Sequence, residues 1–155
     1  MNYEKQSQLN LNGKCSLIAT AYFSGIKADI LIGGENSPMT VMELTVEPNM
    51  GAPAHISHGE DKVFFIIEGS LAFLVGNQKI QAHEGERIFV GKGTPHSFVA
   101  LDNKSARMNL VSTPGRHDRF FLAMGQLSTP HKMEEVRSVC ERFEQTILGP
   151  VIDAK

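Results

Sequence analysis

The chain has 155 residues, 15 basic and 17 acidic side chains and a net charge of −2, a length that suits one domain able to bury roughly 70% of its unfolded surface. No run of like charge forms a basic stripe or an acidic tail, which argues against a nucleic-acid partner. The longest apolar run, Val63–Ile67, is far short of the roughly 20 residues of a membrane helix, which argues against a membrane partner.

Met1–Gln8 lacks the apolar segment of a signal peptide, so a cytoplasmic location is expected. Cys15 and Cys140 are isolated thiols without C-x-x-C spacing and read as reduced. Predicted strands follow at Lys27–Gly33, Thr40–Glu47, Lys62–Glu68, Leu71–Val75, Lys79–Ala82, Arg87–Val90, His96–Leu101 and Ala106–Ser112. Each is short, rich in β-branched or aromatic residues, and bounded by Gly, Pro, Asn or Asp. Such spacing favours a sandwich or barrel. Gly76-Asn77 makes a hairpin turn, since both residues tolerate positive φ. The period then changes: Met133, Val136, Cys140, Phe143 and Ile147 share one face of a helix, capped by Thr129-Pro130 and stopped at Gly149-Pro150. No internal repeat suggests a second barrel.

Two stretches concentrate the chemistry. The first runs Gly51-Ala-Pro-Ala-His55-Ile-Ser57-His58-Gly-Glu60-Asp-Lys62-Val-Phe-Phe-Ile-Ile-Glu-Gly69; the second is Gly85-Glu-Arg-Ile-Phe-Val-Gly91-Lys-Gly93-Thr-Pro95-His96. Together they resemble the paired motifs of the cupin superfamily. The following Ser112-Thr-Pro-Gly115 and Phe120-Phe121 look like the barrel end of its quercetin-dioxygenase-like branch. The resemblance implies an all-β, RmlC-like fold: an antiparallel β-barrel, or jelly roll, over about residues 27–113, with a C-terminal helical segment at about 116–148 packed outside. One domain would then span residues 1–155. It also implies a metal held by three histidines and one glutamate from these motifs. Here His55, Lys62 and Gly69 occupy the first, third and fourth places of the first motif, with Ser57 in the second. The second motif keeps Gly85, Gly93 and His96, with Gly91 where proline is usual.

Lys62 therefore stands where the family has its glutamate. An ammonium about 4 Å from a divalent ion is repelled by roughly 8 kcal/mol at an effective dielectric near 20. Losing the proton instead costs about 4 to 5 kcal/mol at pH 7. A metal-free pocket is one expectation. The other is a divalent ion, iron, nickel, manganese or zinc, held by His55, His58, His96 and Glu60, with a bulge at Gly59 turning His58 inward. His83, His117 and His131 carry no distinguishing spacing and read as surface residues.

Strand parity places Phe64 and Ile66 on the face of Lys62, and Phe98 on the face of His96. With Phe73 they are the expected ligand-binding residues; His55, Lys62 and His96 are the expected catalytic ones. Val63, Phe65 and Ile67 make the other face equally apolar, so it needs a cover: the C-terminal helix, the N-terminal segment, or a second copy in a homodimer. Three function classes stay open. One is a metal-dependent dioxygenase-like enzyme. Another is a metal-free isomerase or cyclase, in which His55 or His96 is the base and Lys62 steadies an enolate or carboxylate. The third is a binding or sensor module for a small, partly aromatic and anionic molecule.

Overall fold

Alternation of buried and exposed side chains turns this sequence into sheets. In the strand Thr40–Val46 (β3), Thr40, Met42, Leu44 and Val46 are buried, and in Ala106–Thr113 (β10) Ala106, Met108, Leu110 and Ser112 are buried. A period of two places those sets on one face, which must then be covered. The structure, a computed structural model, describes residues 12–151. The N-terminal residues 1–11, offered above as a cover and as the site of a missing signal segment, lie outside the described residues.

Ala19–Phe23 (β1), Ile26–Ile32 (β2), β3, β10, Asp61–Glu68 (β5) and Arg87–Val90 (β8) form one sheet, in the order β1-β2-β3-β10-β5-β8. Gln145–Val151 (β11), Gly51–Ser57 (β4), His96–Ala100 (β9), Leu71–Val75 (β6) and Gln78–Ala82 (β7) form the other, in the order β11-β4-β9-β6-β7. The recorded pairings are all antiparallel. Inner faces of the two sheets enclose one core, in which Phe64 from β5 meets Phe73 from β6 and Phe98 from β9 edge-on or tilted, with centroids 5.3 to 5.8 Å apart. This is the expected antiparallel β-barrel. Gly76 takes φ +58° in the β6–β7 hairpin, as its turn position requires. Gly51 has a different role, because a Cβ there would lie 2.0 Å from the Phe98 carbonyl oxygen. Its bare backbone lets β4 close onto β9.

The C-terminal region departs from the expected single helix. His117–Gly125 (α1) and Met133–Arg142 (α2) are helices, and the chain then returns as β11 along β4. The second helix begins at Met133 with Lys132 as its N-cap, rather than at Thr129-Pro130. Glu134 and Glu135 in its first turn and Arg142 in its last complement the helix dipole. It stops at Arg142, and Glu144 enters β11 with φ +56°. Ile147 therefore belongs to a strand. The apolar period continued past the helix because β11 also needs apolar residues. Strands β1 and β4 were likewise missed, the second because its Gly and Pro read as a turn.

The helices pack on β1 and β11, away from the outer face of β5. There Phe65 and Ile67 are each 38% exposed, and Phe89 on the edge strand β8 is 64% exposed. The C-terminal helix is thus not the cover. Among the described residues no helix is long and apolar enough to cross a membrane. Cys140 is buried, Cys15 exposed, and both are free.

Truncating Phe64 would remove the ring that holds the two sheets' aromatic residues together. Phe64→Ala is expected to cost about 3 to 5 kcal/mol, read as a lower urea midpoint. A loss under about 1 kcal/mol would contradict that packing.

Candidate functional site

His55 and His96 are directly opposed residues of the β4–β9 ladder. Cross-strand neighbours share a face, so their rings meet, with centroids 4.2 Å apart at 50°. Each ring is held by a carbonyl two residues upstream: His55 Nδ1 bonds the Pro53 oxygen at 2.7 Å, and His96 Nδ1 the Thr94 oxygen at 2.9 Å. A carbonyl only accepts, so both Nδ1 atoms carry the proton and both Nε2 atoms are acceptors.

Lys62 arrives from the opposite sheet. Its parity on β5 points it inward beside Phe64, only 2% of it is exposed, and its Nζ lies 3.1 Å from His96 Nε2. The lysine donates, since that imidazole nitrogen has only a lone pair to offer. The three residues that stand in family motif positions thus converge across the barrel. The pairing of Lys62 with Glu60 or Asp61 that a solvated barrel mouth would give does not form; Asp61 instead accepts the Lys92 N–H.

The other motif positions are used differently. Ser57 Oγ donates to Gln145 Oε1 at 2.6 Å, and Gln145 Nε2 donates to Glu60 Oε2 at 3.1 Å and to the Phe143 oxygen at 3.0 Å. Arg116 reaches the buried Glu60 carboxylate at 3.6 Å. This network ties the start of β11 to β4. His58 is exposed, with Nε2 on Thr146 Oγ1 and its N–H on the Glu144 oxygen. It does not join His55 and His96, because strand β11, unseen in the sequence, claims it. Among the described residues no group of three His, Cys, Asp or Glu side chains could hold a metal ion. The donors present do not fit the family's metal: one of its positions delivers an ammonium, another is a serine committed to an amide, and the nearest carboxylate is taken by Arg116.

Beside these residues lies a cavity of about 220 Å³. His55, Lys62, Phe64 and Phe98 line it as expected, together with Gln145 and with Phe120, Phe121 and Met124 from α1. Phe73 and Ile66 do not. Both are buried behind that wall, Phe73 against Phe64 and Phe98 and Ile66 opposite Met108. His117 was missed: it is 1% exposed, lines the cavity, stacks on Phe120, and has no hydrogen-bond partner for Nδ1. The signal was available, since His117, Phe120, Phe121 and Met124 fall at i, i+3, i+4 and i+7 of one helix face. His131 also lines the cavity, while His83 is exposed and bonded to Ser70.

Burial dominates the electrostatics. It pushes the Lys62 ammonium down from 10.5 to about 7, against the pull of the Glu60 charge. Burial and then the Lys62 charge hold His55 down at about 3; the same two causes, with His55 added, hold His96 at about 2, and the backbone carbonyl bonds oppose the fall in both. His117 is lowered well below the ordinary range by burial, then by Lys62, His55, His96 and Arg116. At neutral pH His55 and His96 are uncharged, while Lys62 is close to half charged.

Residues 42–113 match the family model described as Cupin domain. The match covers just under half of the chain, and the barrel just described is a cupin-type fold. No curated protein matches the chain by sequence. Among solved structures it is similar to Streptomyces PAC13 solved with uridine, at TM-score 0.62 and 13% identity, covering 92% of this chain and 94% of that one. Another structure of Pac13, which describes it as a nucleoside dehydratase, matches at 0.62 and 12%, covering 92% and 95%. KdgF from a Halomonas species matches at 0.59 and 16% over 65% of this chain and 90% of its own. An RmlC-like cupin from Shewanella frigidimarina matches at 0.57 and 19% over 65% and 87%. At these identities the likeness is one of fold.

Linkage gives the buried bases a clear signature. From pH 6.5 down toward 3 the unfolded chain binds protons at His55 and His96 that the folded chain does not, so stability falls as pH falls through that window, by roughly 1.4 kcal/mol per pH unit for each group. From about pH 7 to 10.5 the unfolded chain binds the extra proton at Lys62, so stability rises with pH there and the burial cost is in full force below 7. Lys62→Met is therefore expected to raise the urea midpoint at about pH 6, with the gain shrinking toward about pH 10. A gain independent of pH would contradict the assignment.

Proposed function

We propose that this barrel is a metal-free pocket for a small, mainly aromatic molecule bearing an anionic or carbonyl oxygen, and that it performs acid–base chemistry on that molecule. The observation that carries the reading is the buried Lys62 amine, held on His96 beside an aromatic cavity with no carboxylate in hydrogen-bonding contact among the described residues. A charged Lys62 lacks a counter-ion in contact, and a ligand oxygen would supply one. Desolvated, such a pair is far stronger than one in water. Binding would restore the ammonium, with uptake of a proton.

The roles divide by hydrogen bonding. His96 Nε2 is engaged by Lys62 and orients it. His55, fixed as the Nδ1–H tautomer and lining the cavity, has its basic nitrogen on Nε2 and is the candidate general base. Proton removal next to a carbonyl would leave an enolate that the Lys62 charge stabilises. The description of Pac13 as a nucleoside dehydratase, and of another cupin neighbour as a sugar phosphate isomerase, supports an enzymatic use of this barrel.

Calorimetric titration with benzoate is the test. Binding is expected in the wild type, with protons taken up, and weakening by about tenfold or more in Lys62→Met. Absence of binding at millimolar benzoate, or binding indifferent to Lys62→Met, would overturn the reading. The same instrument tests the metal: nickel is expected to bind the double variant Ser57→His with Lys62→Glu, which rebuilds three histidines and one glutamate at family spacing, far more tightly than the wild type. Tight binding by the wild type that His58→Ala abolishes would instead favour a dioxygenase-like metal centre.

The reading includes a homodimer in which a second copy covers Phe65, Ile67 and Phe89, where apolar side chains adjoin the edge of β8. Sedimentation is expected to give twice the 17.0 kDa chain mass. Phe89→Asp is expected to return a monomer, and a wild-type monomer at high concentration would exclude the dimer.

A further inference from the structure

We propose that Lys62 is also a nucleophile that captures an aromatic aldehyde or ketone in the cavity as an imine, with His96 relaying the protons of the step. The inference rests on the reading of the barrel as an aromatic-ligand pocket and adds covalent chemistry to it.

Three observations carry it. The first is access: Lys62 is almost fully buried from bulk solvent, yet it lines a cavity of about 220 Å³ together with Phe64, Phe98 and Phe120. A planar ring placed there lies against aromatic walls, and few competing water molecules reach the amine. The second is direction. The Thr94 carbonyl fixes the proton of His96 on Nδ1, so in the 3.1 Å contact Lys62 must donate an N–H and His96 must accept. A neutral amine bonded in that sense keeps its own lone pair free, and the base that takes its proton is already in contact. The third is charge. The titratable groups that interact with Lys62 are His55, His96, His117 and Glu60, and the Glu60 carboxylate is engaged by Arg116 and Gln145. Burial outweighs the pull of that carboxylate and lowers the Lys62 ammonium to about 7. Desolvation beside other basic groups is what makes a lysine nucleophilic.

The step balances without a further reactant. The Nζ lone pair forms the bond to the carbonyl carbon while the π pair moves to oxygen. The two amine protons pass through His96 Nε2 to that oxygen, which leaves as water as the nitrogen pair closes the C=N bond. Nothing is oxidised or reduced.

The test is to incubate the full chain with benzaldehyde and cyanoborohydride near neutral pH, which reduces the imine to a stable benzylamine, and to map the product by mass spectrometry of peptides. One benzyl group per chain is expected on Lys62, added at least about tenfold faster than at any surface lysine. Prior saturation with benzoate should slow it, and Lys62→Arg, which keeps the charge without a nucleophile, should abolish it. Because the mapping is done on the wild type, the result does not depend on that variant folding. Labelling spread evenly over surface lysines, or absent from Lys62, overturns the proposal. If benzoate still binds, only the imine step is lost; if benzoate also fails to bind, the pocket reading falls with it.

Discussion

A single hydrogen bond between the sheets, Lys62 Nζ to His96 Nε2 at 3.1 Å, sets the character of the barrel interior. It puts a lysine where it is surrounded by three histidines, and those four bases cannot all be charged in one desolvated volume. The histidines give way. Carbonyls of Pro53 and Thr94 hold two of them as defined neutral tautomers, leaving acceptor nitrogens inside. The apolar walls follow from the same constraint, since phenylalanines keep out the water that would otherwise solvate charge.

Against the cupin arrangement, the site is inverted in sign. The usual pocket gathers neutral imidazoles and a carboxylate around a cation that comes from outside. Here the chain places a lysine where the carboxylate is usual, and no carboxylate among the described residues is in hydrogen-bonding contact with it. Ser57 completes the change, because its hydroxyl is spent on Gln145 and faces a network rather than an ion. A buried ammonium costs several kcal/mol if unpaired.

The C-terminal third shapes the pocket from outside the barrel proper. Helix α1 brings His117, Phe120, Phe121 and Met124 to the cavity, and Asp118, buried beside them, accepts the Gly34 N–H and the Thr40 hydroxyl. Those bonds tie the helix to the loop before β3. Strand β11 then places Gln145 between Ser57 and Glu60, and Arg116 neutralises Glu60 from the start of α1. The outer wall of the cavity comes from these late elements, while His55, Lys62 and His96 come from the motif segments.

The sequence by itself determined the barrel, its two motif strands, and the convergence of His55, Lys62 and His96, because strand parity and turn chemistry are local and a motif fixes spacing. It also determined that Phe64 and Phe98 share that interior. Only the tertiary structure decided that Phe73 and Ile66 stand behind the cavity wall, since parity says which face a side chain takes but not how far an opposite sheet lies from it. Residues β11 would claim, Ser57 and His58, were open in the sequence for the same reason: their partners are nearly ninety positions away. His117 read as a surface residue because it was weighed alone, apart from Phe120, Phe121 and Met124, with which it shares a helix face. That spacing gives the face but not what it packs against: α1 folds back over the barrel, and a contact between distant segments is decided by tertiary packing.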